Sequence, residues 1–293
     1  MEQAIPKAAA LIEALSYIQR FRDKRVVVKM GGALMDDREA ELGVLTDIVF
    51  MATVGMQPIL VHGGGKEITQ ALTEAGLETR FVEGRRYTDQ RTLSIAEHVL
   101  CNQINGRLVQ TLNRLGAEAV GLHSLSSCVL SGERIFLQKE DRRIDLGYVG
   151  RVTKVNGHLL KVLCDARSVP VIAPIALDQS GGKLNVNADD VAGELAAAIG
   201  AEKLVVLSDT HGVRLKGDDP NSLASALSEA EIRDLISQGI IAGGMLPKVN
   251  ACLRAIDGGV GKAHIIDGRL VHSLLLEIYT DKGVGTQITK NSQ

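Results

Sequence analysis

Two glycine turns stand out as residues that could do chemistry: Lys29-Met30-Gly31-Gly32-Ala33 and His62-Gly63-Gly64-Gly65-Lys66. Glycines at such turns let backbone N–H groups approach phosphate oxygens without Cβ obstruction, and a helix starting there adds partial positive charge. Either cluster alone could simply end a strand. Two of them on successive strands, with Lys29 leading the first, point to one polyanion site. A third turn, Gly243-Gly244-Met245-Leu246-Pro247-Lys248, sets a lysine just after a proline suited to a first helical turn. Asn185-Val186-Asn187-Ala188-Asp189-Asp190 opens another helical pattern, where Asn and Asp are also natural caps. None of these turns matches GxxxxGK[ST] or GxGxxG, and HRD and DFG are missing, so P-loop, dinucleotide-binding and protein-kinase readings lose their usual support.

The elements that must position these residues alternate along the chain. Short runs at Val26–Val28, Pro58–Val61, Val169–Ile172, Leu204–Leu207 and Ala263–Ile266 read as strands, and helical patterns at 38–54, 89–115, 187–200 and 246–257 lie between them. Such alternation predicts βαβ units and a mainly parallel sheet, with ligands beyond the carboxyl ends of the strands. Segment 128–156 has shorter alternating runs and predicts antiparallel hairpins. The polar stretch 178–183 is the expected lobe boundary. Ahead of the first strand, Leu11, Ile12, Leu15, Ile18 and Phe21 recur at helical spacing, which predicts an amphipathic helix outside the alternation and suited to a subunit contact.

Composition fits this plan. The chain has 293 residues with 45% hydrophobic but only 3% aromatic content and no Trp, so aliphatic side chains must fill the core. A net charge of -2 gives no basic field for nucleic acid or anionic lipid. Cys101, Cys128, Cys164 and Cys252 form no CxxC pair, which predicts reduced thiols, neither a zinc site nor a disulfide framework, and a cytoplasmic location. There is no secretory leader pattern and no run of apolar residues long enough to span a membrane.

In order, Lys29-Met30-Gly31-Gly32, His62-Gly63-Gly64-Gly65, Gly84-Arg85-Arg86-Tyr87-Thr88-Asp89, Asn185-Val186-Asn187-Ala188-Asp189 and Gly243-Gly244-Met245-Leu246-Pro247-Lys248 resemble the amino acid kinase family. They are most similar to members that phosphorylate N-acetyl-L-glutamate. The likeness runs from about residue 24 to the C-terminus. It implies an α/β fold, a three-layer αβα sandwich with a mainly parallel central sheet. The implied division is an oligomerisation helix in 1–23, a lobe for the acceptor and for dimerisation in 24–181, and a lobe for ATP and an effector in 182–293.

Carried over by position, the resemblance makes Lys29 and Lys248 the groups that stabilise the transferring phosphoryl, with Asp189 holding both lysines. Gly31, Gly32, Gly64, Asn187, Ser208 and Asp209 would serve the phosphates of ATP, which would act with Mg²⁺ and no resident metal. Gly64, Gly65, Arg86 and Asn185 would bind the acceptor, since a guanidinium fork matches a carboxylate bidentately. A carboxylate acceptor is ionised at neutral pH, so charge repulsion rather than proton removal is the obstacle.

The C-terminal stretches Ala263–Arg269 and Leu276–Thr286 are similar to those of arginine-sensitive members, in which an extra N-terminal helix links dimers into a hexamer. The resemblance implies arginine as inhibitor, with His264, Glu277 and Gly283 as contacts, and a homohexamer built as a trimer of dimers. Members from photosynthetic organisms bind a PII-type signalling protein, and no feature here assigns that partner. Competing expectations are a kinase for aspartate, glutamate or uridylate, or a nucleotide- or arginine-binding sensor without catalysis. The absence of a regulatory domain after residue 293 counts against aspartate, and intact Lys29, Lys248 and Asp189 count against the sensor. The chain departs from common family residues at Met30, Tyr87 and Gly121–Ser126.

Overall fold

Val26, Val27 and Val28 belong to a strand buried along almost its whole length, as expected of a central parallel strand covered on both faces. In the computed structural model, which describes residues 4–139, 142–216, 219–280 and 283–291, this is β1 (Arg25–Met30). It follows α1 (Ala4–Phe21) and leads through α2 (Gly32–Met35) and α3 (Arg38–Thr53) to β2 (Gln57–His62) and α4 (Gly65–Glu74). A small hairpin, β3 (Phe81–Val82) and β4 (Arg85–Arg86), precedes α5 (Gln90–Glu97), a π-wound stretch His98–Asn105 and α6 (Gly106–Arg114). Next come β5 (Glu118–Leu122), β6 (Leu130–Lys139), β7 (Arg142–Val155), α7 (Gly157–Asp165), β8 (Ser168–Ile172), β9 (Ile175–Leu177) and β10 (Lys183–Val186). The remainder is α8 (Ala188–Ile199), β11 (Lys203–Ser208), β12 (Ala226–Ser228), α9 (Glu229–Ser237), α10 (Met245–Asp257), β13 (Lys262–Asp267), α11 (Ser273–Tyr279) and β14 (Thr286–Thr289).

Eight strands form one sheet in the order β12-β14-β13-β11-β1-β2-β8-β5. All its pairs are parallel except β13 with β14. The sheet joins its early and late strands between β1 and β11, in the register Val26 to Lys203 through Met30 to Leu207. Helices cover both faces, which gives the three-layer αβα sandwich expected from the sequence.

Strand alternation decides which layer each β1 side chain meets. Val27 joins the apolar cluster that includes Val191, Leu195, Val249 and Cys252 of α8 and α10. Val26, Val28 and Met30 join the opposite cluster with Leu45, Ile48, Leu100 and Leu108. Each such side chain contributes roughly 1.5–3 kcal/mol on burial. Lys29 shares the face of Val27, so the backbone itself aims its ammonium at α8.

The segment expected to form hairpins does so, since β6 pairs antiparallel with β7. Together with β9 and β10 these strands close a small barrel. β10, which follows the 178–183 stretch, therefore pairs with β7 and β9 from before it. The helical pattern at 89–115 is present, but its middle widens into the π-wound stretch.

Candidate active site

The parallel register of β1 and β2 sets Met30 opposite His62, so the two glycine turns emerge side by side. Gly63 N–H donates to Met30 O at 2.9 Å. A Cβ on Gly32 would lie 3.6 Å from Gly65 N, and one on Gly63 would lie 3.6 Å from Gly32 N. This closeness lets N–H groups from both turns face one ligand. At Gly64 a Cβ would come within 2.7 Å of Leu100 and 2.6 Å of Ile104, both from the π-wound stretch, so only glycine fits.

Lys29, Gly32, Gly64, Gly65, Arg86, Asn185, Asn187 and Asp189 all line one cavity of about 420 Å³. Lys29 is 5% exposed and Asp189 7%, and Lys29 Nζ lies 2.8 Å from Asp189 Oδ1. Gly31, the N-cap of α2, sits beside that ammonium, with a Cβ there only 3.3 Å from Lys29 Nζ. Asn187 caps α8 by accepting from Asp189 N at 2.8 Å and Asp190 N at 3.2 Å. That cap leaves Asp189 in the first helical turn, facing Lys29.

Lys248 stands apart from this pair, with its Nζ on Gly244 O at 3.0 Å. Its helix nevertheless packs on α8. Gly193 approaches Ala251 so closely that a Cβ would be 2.7 Å from Ala251 O, and Gly258 approaches Ala197 in the same way. These contacts hold α8, which carries Asp189, against α10, which carries Lys248.

Arg86 is 8% exposed. Its Nη2 donates to Gly65 O at 2.7 Å and Thr69 Oγ1 at 2.8 Å, its Nη1 donates to Thr79 Oγ1 at 3.2 Å, and its guanidinium covers the Phe81 ring at 4.9 Å. Burial lowers its pKa, yet a guanidinium keeps its charge. Asn185 Nδ2 donates to Thr88 Oγ1 at 3.2 Å, and Thr88 in turn donates to Arg86 O at 2.8 Å. Ser208 and Asp209 lie at the end of β11, where Ser208 Oγ donates to Asp209 Oδ1 at 3.3 Å.

Some neighbours escape sequence inspection because their partners are remote in the chain. Lys66 lines the cavity and pairs with Asp36 at 2.5 Å, and Arg85 ties the hairpin to Asp190 of α8 at 3.1 Å. A lysine in the first turn of α4 opposes the helix dipole, which is the local signal that would have singled it out. In the divergent 121–126 stretch, Ser124 Oγ donates to Glu97 Oε1 at 2.5 Å, and Glu97 pairs with Lys183 at 2.7 Å. Among the described residues no three His, Cys, Asp or Glu side chains converge as a metal site. No helix among them is long and apolar enough to cross a membrane.

A second cavity of about 380 Å³ is lined by Tyr17, Arg20 and Phe21 of α1 together with Lys203, His264, Glu277 and Gly283. His264 and Glu277 are 2% and 6% exposed, and His264 Nδ1 donates to Glu277 Oε1 at 2.6 Å. Glu277 Oε2 accepts Val284 N–H at 2.7 Å. Burial opposes ionisation of Glu277, but the His264 hydrogen bond and charge outweigh it and lower its pKa. Burial lowers the pKa of His264, whose Nε2 has no hydrogen-bond partner among the described residues. Gly283 has φ 59, and a Cβ there would lie 2.9 Å from the Glu277 carboxylate. Asp281 and Lys282 of the arginine-sensitive resemblance lie outside the described residues.

His62, fully buried before the second glycine turn, makes a testable contribution to stability. Burial lowers its pKa to about 4, with the Arg107 charge acting the same way. The unfolded chain then binds the extra proton between pH 6.5 and pH 4, so stability is expected to rise with pH through that window. The loss on acidification should reach on the order of 3 kcal/mol. Urea unfolding of the wild type and of His62→Asn between these pH values should show a steeper acid loss for the wild type.

The amino acid kinase family model matches residues 24–267. The chain belongs to the amino acid kinase family. An acetylglutamate kinase of Moorella thermoacetica is 46% identical over 288 residues, covering 97% of both chains. That of Symbiobacterium thermophilum is 46% identical over 291 residues, covering 99% of both. The chain thus groups with acetylglutamate kinases and is a kinase, an enzyme that uses ATP. Among solved structures, N-acetylglutamate synthase from Neisseria gonorrhoeae complexed with coenzyme A and N-acetyl-glutamate has a TM-score of 0.86 at 24% identity, over 98% of this chain and 64% of that one. Giardia lamblia carbamate kinase bound to AMP-PNP has a TM-score of 0.66 at 17% identity, over 92% of this chain and 99% of that one. At these identities both speak for the fold alone.

Proposed function

We propose that this enzyme transfers the γ-phosphoryl group of ATP, taken as its Mg²⁺ complex, to the γ-carboxylate of N-acetyl-L-glutamate. The product is N-acetylglutamyl 5-phosphate, formed in the cytoplasm on the route to arginine. The observation that carries this reading is one cavity holding both glycine turns, the buried Lys29–Asp189 pair and the buried guanidinium of Arg86.

Arg86 and Asn185 bind and orient the acceptor, with the guanidinium on its α-carboxylate. The γ-carboxylate, already ionised, attacks phosphorus in line, and the bond to the β-phosphate oxygen breaks to leave ADP. Lys29 and the N–H groups of Gly32, Gly64 and Gly65 take up charge on the moving phosphoryl. Lys248, on a flexible four-carbon stem from the helix packed on α8, swings from Gly244 O to the phosphoryl, with Asp189 between the two lysines. Mg²⁺ neutralises phosphate charge when bound with ATP. In this reading residues 24–181 serve mainly the acceptor, joined by Asn185, and the rest of 182–293, with Asn187, Ser208 and Asp209, serves the nucleotide. ADP release with N-acetylglutamate, glutamate, aspartate and UMP in parallel tests the acceptor; turnover confined to one of the other three would overturn it.

The second cavity suits arginine as feedback inhibitor. Glu277 and the free Nε2 lone pair of His264 can accept from a guanidinium, while Lys203, Lys262 and Arg20 suit an α-carboxylate. Support also comes from the solved Neisseria gonorrhoeae N-acetylglutamate synthase complexed with coenzyme A and L-arginine, which is similar in fold. Glu277→Gln is expected to raise the arginine concentration for half-inhibition at least tenfold, through loss of a charge-assisted pair, without altering uninhibited turnover. Unchanged inhibition in a dose–response assay would refute this role. Ile12, 70% exposed, and Leu15, 44% exposed, leave α1 an apolar surface for another subunit of a hexamer. Deleting residues 1–22 should give a dimer on size exclusion and weaken arginine inhibition, because α1 also walls the effector cavity.

A further inference from the structure

The imidazole of His62 is fully buried at the end of β2, immediately before the glycine turn. Asn105, the last residue of the π-wound stretch, places its Nδ2 3.2 Å from His62 Nε2 and 3.0 Å from Val171 O. A carbonyl only accepts, so the amide atom facing Val171 is the NH2 group, and the same group donates to Nε2. Nε2 is therefore the acceptor nitrogen. The ring proton resides on Nδ1, which donates to Gly63 O at 2.8 Å. Room for this amide is kept by Gly121, where a Cβ would lie 2.3 Å from Asn105 Oδ1.

The consequence falls on the next N–H. Among the described residues every peptide bond is trans, so the Gly63 carbonyl and the Gly64 N–H point in opposite directions across one planar unit. With the oxygen tied to the buried ring, the Gly64 N–H points away from His62, and Gly64 lines the cavity with Lys29, Gly63 and Gly65. Leu100 and Ile104 press on Gly64 from the same π-wound stretch that supplies Asn105. One irregular stretch thus contributes both the packing and the polar brace for a single peptide unit, and such π-windings recur at functional sites.

We propose that His62, held in its Nδ1–H tautomer by Asn105, is a positioning residue that aims the Gly64 N–H at the transferring phosphoryl group. This rests on the phosphotransfer reading above. Only the neutral ring both donates to Gly63 O and accepts from Asn105, and burial keeps it neutral at physiological pH.

The test compares His62→Leu, which keeps bulk but loses the donor, with His62→Asn, whose amide can donate where Nδ1 did. His62→Leu should lose roughly 10- to 100-fold in kcat, as expected for a misaimed transition-state donor, with both KM values nearly unchanged. His62→Asn should recover most of that loss, with rates referred to folded protein. A merely structural role would lower the melting temperature of both variants without a donor-dependent kcat difference, and equal kcat values would overturn the proposal. Nitrogen-15 NMR of the wild-type imidazole should show the neutral Nδ1–H tautomer; the Nε2–H form would also overturn it. Wild-type enzyme that phosphorylates no acceptor would instead sink the phosphotransfer reading, and this role with it.

Discussion

Lys29→Met is expected to lower kcat about a thousandfold, because a preorganised cation at a phosphoryl group in a desolvated site contributes on that scale. The side chain is 5% exposed and reaches the site from a strand fixed on both sides, so water cannot replace its ammonium easily. The same substitution leaves the Asp189 carboxylate buried without its 2.8 Å partner, which should cost roughly 3–5 kcal/mol of stability. Adding Asp189→Asn removes that stranded charge. The double variant is expected to regain much of the melting temperature while remaining as inactive as Lys29→Met. Steady-state kinetics and thermal melts on the two variants separate these effects. A kcat within tenfold of wild type for Lys29→Met would show that the ammonium is not at the reacting centre.

Arg86→Lys carries the second large expected effect, on the acceptor. Three of the five guanidinium donors hold Gly65 O, Thr69 and Thr79, so the side chain braces the glycine turn and keeps two donors for the acceptor. A lysine offers a point charge without the planar fork, and the ring of Phe81 loses its stacked partner. The KM for N-acetylglutamate is expected to rise about 30- to 100-fold, equivalent to 2–3 kcal/mol for a truncated buried charge contact, with the KM for ATP changing far less. Equal increases in both KM values would mean that Arg86 shapes the cavity as a whole and does not grip the acceptor.

How much of this was legible in the sequence depended on range. The apolar runs that became β1, β2, β8, β11 and β13 announced themselves because central parallel strands are buried on both faces. The twin glycine turns were visible because close backbone approach excludes a side chain. Pairings between distant residues were hidden: Lys66 with Asp36, Arg85 with Asp190, and β10 closing a barrel with strands from before the 178–183 stretch. No local pattern encodes such meetings. The winding of 98–105 was hidden too, because apolar positions at Leu100 and Ile104 suit an α-helix equally well, and the tertiary contact with Gly64 is what gives them meaning. Asn187 had two readings as sequence, and its hydrogen bonds to the N–H groups of Asp189 and Asp190 give it a capping role.

Hydroxylamine converts an acyl phosphate to a coloured hydroxamate and so reads whether phosphorus has moved to a carboxylate. With ATP, Mg²⁺ and N-acetylglutamate the enzyme should form hydroxamate in step with ADP. ADP release without hydroxamate, or hydroxamate only from glutamate or aspartate, would contradict the account.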